Sequence, residues 1–82
     1  MTKETFKQYV KEGLDRDKEF MVVKFRLVDN DHSRVLIVRG RDMQQAIREI
    51  LNITDDDMVY SGGRITDVLF TSNLNDLSWF AY

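Results

Sequence analysis

Residues 20–39 read FMVVKFRLV, DNDHS, RVLIVR, and in the first block hydrophobic side chains return at every second position. In an extended chain Met21, Val23, Phe25 and Leu27 share one face, while Phe20, Val22, Lys24, Arg26 and Val28 share the other. The block from Asp29 to Ser33 is a dense turn signal, and Arg34 to Arg39 is rich in the β-branched residues that suit a pleated surface. The stretch therefore predicts an antiparallel hairpin.

Outward from this hairpin the period changes to that of a helix. Downstream, Gly40 ends the second strand. Asp42 and Gln45 have the spacing of a capping box, and Met43, Ala46, Ile47, Ile50 and Leu51 trace one helical stripe. Upstream, Phe6, Tyr9, Val10 and Leu14 form a second stripe, with Thr2 as cap, Glu4 in the first turn and Gly13 near the end. Beyond the second helix, Met58 to Tyr60 and Arg64 to Thr71 read as strands joined through Ser61-Gly62-Gly63, the glycine pair supplying the positive φ angles of a tight turn. Asn73 to Asp76 reads either as a turn feeding a final strand, Leu77 to Tyr82, or as the start of a short helix that carries Leu74, Leu77 and Ala81 inward; the strand-favouring Trp79, Phe80 and Tyr82 tilt the reading to a strand. The order α-β-β-α-β-β, with a C-terminal strand, predicts a small α+β domain spanning 1–82: an antiparallel sheet of four or five strands with two helices on one face. With Met21, Val23 and Phe25 turned to the helices, Lys24 and Arg26 are expected on an open reverse face.

The composition narrows the chemistry. Among 82 residues, 43% are apolar, enough to supply a core, and 32% are charged with a net charge of −2, so no global attraction to nucleic acid or acidic lipid is expected. There is no cysteine, which removes disulfides, thiolate metal sites and thiol nucleophiles. The start lacks a basic region followed by an apolar one, and the longest apolar runs are four residues, against about 20 for a membrane span. A cytoplasmic protein without membrane contact is the expectation. With no proline, glycine and the Asn/Asp clusters must make the turns.

No catalytic constellation emerges. His32 is the single histidine and lies in the predicted turn, with no base or nucleophile at a defined spacing. Asp29, Asp31 and Ser33 imitate the start of a calcium loop, but Arg34 stands where glycine is required and Gly40 where a bidentate glutamate is required. Asp55, Asp56 and Asp57 offer oxygen to a hard cation with Asp67 or Asp76, although adjacent acids point in different directions and a solvated loop accounts for them as simply. The glycines match neither the dinucleotide fingerprint nor the phosphate-binding loop. Neither enzyme activity, nor a metal, nor a cofactor is expected.

Charge is unevenly distributed. Residues 1–54 hold eleven Lys/Arg and nine Asp/Glu, a net of +2, while residues 55–82 hold one Arg and five Asp, a net of −4. Lys24, Arg26, Arg34, Arg39 and Arg41 gather on or beside the first hairpin, with Phe20 as a stacking surface, which is one candidate nucleic-acid site. Asp55, Asp56, Asp57, Asp67 and Asp76, with Trp79 and Tyr82, form a candidate acidic and aromatic surface for a basic protein. A final strand at the sheet edge would expose its aromatics and offer an edge for pairing with a second copy, making a homodimer. In size, acidity and absence of catalytic motifs, the chain resembles in type the small phage or mobile-element inhibitors of host defence, anti-CRISPR proteins among them. That resemblance involves no shared motif and assigns no residues. The expected function is a non-enzymatic protein-interaction module acting on a basic or nucleic-acid-handling partner; the alternative is a small nucleic-acid-binding or regulatory protein using the basic hairpin.

Overall fold

In a computed structural model, which describes residues 1–29 and 32–81, the two alternating blocks form β1 (Phe20–Leu27) and β2 (Ser33–Arg39). They pair antiparallel in continuous register from Phe20↔Arg39 to Arg26↔Ser33. The helical stripes become α1 (Lys3–Leu14) and α2 (Met43–Ile53). Thr2 caps α1, its side chain accepting from the Thr5 N–H at 3.1 Å. A two-residue β3 (Val59–Tyr60) and the long β4 (Gly63–Thr71) complete an antiparallel sheet of order β2-β1-β4-β3.

One face of the sheet carries the core. Met21, Val23 and Phe25 of β1, with Ile65 and Phe70 of β4, pack against Phe6 and Val10 of α1 and Met43, Ile47 and Ile50 of α2. Each such side chain contributes about 1.5–3 kcal/mol on leaving water. The helix stripes are narrower than their spacing suggests, because Tyr9 and Leu14 of α1 remain exposed and Gly13 instead takes the ring of Phe70 against the helix backbone.

Local chemistry departs from expectation in four places. Asp42 forms no capping bond. It ends a 3-10 turn, Gly40–Asp42, and its own backbone is already helical, whereas a capping residue needs extended geometry to reach back to its N–H groups. In the second hairpin the positive φ angles fall on Ser61 (55°) and Gly62 (80°), so the tight turn sits one residue earlier, and Tyr60 pairs with Gly63. Gly63 lies in the strand, where a Cβ would crowd Phe25 Cβ at 3.0 Å and Arg26 O at 3.3 Å. In β4 the register shifts between Lys24↔Asp67 and Phe25↔Ile65, leaving Thr66 as the extra residue of a β-bulge. The bulge turns Ile65, three residues before Val68, to the same face.

The fourth departure is the tail, which forms helix where a fifth strand is expected. Leu74–Asp76 is a 3-10 turn and Leu77–Phe80 a single helical turn, α3. Asn73 starts it by accepting from the Asn75 N–H at 3.0 Å. The reason is burial: on the reverse face of the sheet Val22 is 0% exposed, and Phe80 of α3 is nearly as deeply buried, with Lys24 Nζ 6.0 Å from its ring centroid. The reverse face is therefore partly covered, not open, and α3 replaces the expected edge strand.

Candidate protein-interaction surface

The end of β4 is tied to α3 through one carboxylate. The Asn73 N–H donates to Thr71 Oγ1 at 3.0 Å, and that hydroxyl donates to Asp76 Oδ2 at 2.7 Å. The other oxygen, Asp76 Oδ1, accepts from Trp79 Nε1 at 3.3 Å. The Trp79 ring meets Phe80 edge to face, with centroids 5.9 Å apart at 90°. Trp79 is thus held at its nitrogen and along its ring, yet stays 60% exposed, and Leu74 on the adjoining turn is also exposed. A large ring fixed in place and left in water loses little conformational freedom when a partner covers it.

The acidic set divides. Asp76 belongs to this platform. Asp67 lies on the reverse face opposite Lys24 in register, and its Oδ1 accepts from the Val68 N–H at 2.8 Å. Asp55, Asp56 and Asp57 form an exposed loop between α2 and β3, where Thr54 closes the helix by donating from Oγ1 to Ile50 O at 2.6 Å. They follow α2, whereas Asp76 lies in the turn that follows β4. Tyr82 lies outside the described residues, as does Asp31.

The basic set divides as well. The register puts Lys24, Arg26 and Arg39 on the reverse face with half-buried Phe20, but Arg34 is opposite Phe25 on the helix side and Arg41 pairs with Asp42 at 3.7 Å in the 3-10 turn. Lys24, assigned by sequence to the basic hairpin, belongs to the aromatic platform through Phe80. Arg64, which sequence reading passed over, stands directly opposite Arg26 across β1 and β4. The bulge hid it, since simple alternation from Val68 through Thr66 puts Arg64 on the core face.

A cleft of about 170 Å³ lies between Phe25, Arg34, Leu36 and Tyr60, with the Phe25 and Tyr60 rings stacked at 6.0 Å. The Tyr60 hydroxyl donates to Glu49 Oε1 at 3.4 Å. Its pKa is raised above 10.0, first by burial and then by the charge and hydrogen bond of Glu49. His32 is exposed on the hairpin, its carbonyl accepting from the Leu27 N–H at 3.0 Å. Among the described residues no three His, Cys, Asp or Glu side chains are placed to hold a metal ion, and no helix is long and apolar enough to cross a membrane. No protein-family model, curated protein or solved structure matches the chain.

Proposed function

We propose that this chain is a non-enzymatic protein-interaction module whose contact surface is the α3 platform: Trp79 as anchor, Leu74 beside it, and Asp76 and Asp67 as the acidic component. The observation that carries this reading is the exposed Trp79 braced by Asp76 and Phe80. Tryptophan is among the residues most enriched at the energetic centres of interfaces, and the carboxylates favour a basic partner such as a nucleic-acid-handling protein. Stoichiometric occupation of a basic groove, the mode of action of an inhibitor, needs no more than this surface. The triple-aspartate loop is outside the primary contact.

The test is an affinity measurement with the partner recovered from the native host. Trp79→Ala is expected to weaken binding on the order of 30-fold, the loss of one interface anchor of about 2 kcal/mol. Changing Asp55, Asp56 and Asp57 to Asn is expected to have a smaller effect. Full affinity in Trp79→Ala would remove the platform from the mechanism.

The cross-strand pair Arg26 and Arg64 favours a second reading, contact with nucleic-acid phosphates on the reverse face. It requires salt-sensitive binding of DNA or RNA that Arg26→Ala and Arg64→Ala together abolish. A blank mobility-shift assay at low salt ends that reading.

A further inference from the structure

The two edges of the sheet are treated differently. The Leu27 N–H to His32 O bond, with the β1–β2 register, sets which backbone groups face which way. Leu27 and His32 are a bonded pair, so His32, Arg34, Leu36 and Val38 turn their N–H and C=O groups toward β1. Ser33, Val35, Ile37 and Arg39 turn theirs outward. On the opposite side of the sheet the outer edge of β4 is partly paired with β3, interrupted by the Thr66 bulge, and stopped at Val68, whose N–H is taken by Asp67. These are the devices by which proteins prevent strands from adding to an edge. β2 has none of them. It runs seven residues with no register shift against β1 and contains no proline; its two charged residues, Arg34 and Arg39, stand toward its ends, and Ile37 beside the central Leu36 is 42% exposed.

We propose that β2 pairs antiparallel with β2 of a second copy of this chain, joining two four-stranded sheets into one of eight strands. The sequence of the edge argues for a copy of itself as occupant. Arg34-Val35-Leu36-Ile37-Val38-Arg39 is a near-palindrome with arginine at both ends. Pairing it about its own centre would set Arg34 opposite Arg39 of the other copy, a repulsive arrangement, but backbone parity forbids that register. Outward groups occur only on odd-numbered residues, so an odd residue must face an odd one. The register that uses the whole strand has its two-fold axis at Leu36. Val35 then faces Ile37 of the second copy, Ser33 faces Arg39, Arg34 faces Val38, and the two Leu36 residues face each other. Apolar side chains meet apolar ones at the centre, and neither arginine meets another. Cross-strand β-branched pairs and newly satisfied edge hydrogen bonds supply the attraction. A domain of this size without staples also gains stability from association. The α3 platform lies over β1 and β4 and is not used, so this interface and the proposed partner surface stand or fall separately.

Sedimentation across a concentration series tests the pairing. The expected result is a monomer–dimer equilibrium rising from 9.7 kDa toward twice that mass. Ile37→Pro removes an outward N–H that β1 does not use, and is expected to leave a folded monomer by circular dichroism. Should that variant fail to fold, Ile37→Lys makes the same test on the edge. Leu36→Cys, the sole thiol in the chain, is expected to oxidise to a covalent dimer, because non-bonded antiparallel partners lie about 4.5 Å apart, within disulfide reach. Ile37→Cys is expected to remain uncrosslinked. A wild-type chain that stays monomeric at its solubility limit, a dimer indifferent to a folded Ile37→Pro or Ile37→Lys, or Ile37→Cys crosslinking in place of Leu36→Cys overturns the proposal.

Discussion

At the scale of single residues, Gly13 illustrates how packing can reverse a propensity. Replacing glycine by alanine inside a helix ordinarily gains about 1 kcal/mol. Here the added Cβ would run into the Phe70 ring, which lies directly over the helix backbone. Overpacking of this kind costs about 1–3 kcal/mol, and the bulk concerned is a rigid ring in the core. Gly13→Ala is therefore expected to destabilise the fold by up to about 2 kcal/mol in urea unfolding, and to be tolerated better when Phe70 is also shortened to leucine. A stabilised Gly13→Ala would show that helix propensity outweighs the contact. The sequence marks Gly13 as a helix-ending residue; that it accommodates an aromatic ring depends on a strand more than fifty positions away.

Among elements, the tail is the instructive case. Trp79 and Phe80 have strand propensity, yet Asn73, Thr71 and Asp76 form a connected set of hydrogen bonds that turns the chain back. Phe80 is then buried, with Lys24 of the reverse face over its ring. Local propensity lost to burial, because the helical turn takes the Phe80 ring out of water. Phe80→Ala is expected to cost about 3 kcal/mol. It should also erase the near-ultraviolet circular dichroism of the single tryptophan, whose ring rests edge-on against Phe80. An unchanged unfolding midpoint would mean that α3 is not packed. The long strands and both long helices were legible because their periods are strong and uninterrupted. The β4 bulge was not, since inserting one residue leaves composition untouched and only reverses which face the residues before it occupy.

Across the whole molecule, stability is a small difference of about 0.05–0.15 kcal/mol per residue, so a single titrating group can be read in global unfolding. Tyr60 of β3 meets Glu49 of α2. Burial first, then the Glu49 carboxylate, raise its folded pKa above 10.0. The folded state holds this proton more tightly than the unfolded chain does. The resulting stabilisation is complete below about pH 10 and is lost as pH rises through the folded pKa. Urea midpoints are expected to fall more steeply above pH 10 in the wild type than in Tyr60→Phe, and superimposable profiles would contradict this linkage. The same global view separates the two charge groups that appear as two surfaces in the sequence. The acidic residues divide between the loop after α2, which holds Asp55 to Asp57, and Asp67 of β4 with Asp76 of the turn after it, while Lys24 of the basic set joins the aromatic platform.

By itself the sequence determined the α+β class, the antiparallel hairpins and the apolar side of β1. These follow from side-chain period and turn chemistry, which act between near neighbours. Only the tertiary structure decided that the tail is helical, that Arg64 stands beside Arg26, and that Trp79 is braced while exposed. Each of those facts depends on which distant segments bury one another, and burial is settled by the competition of whole surfaces for a limited interior.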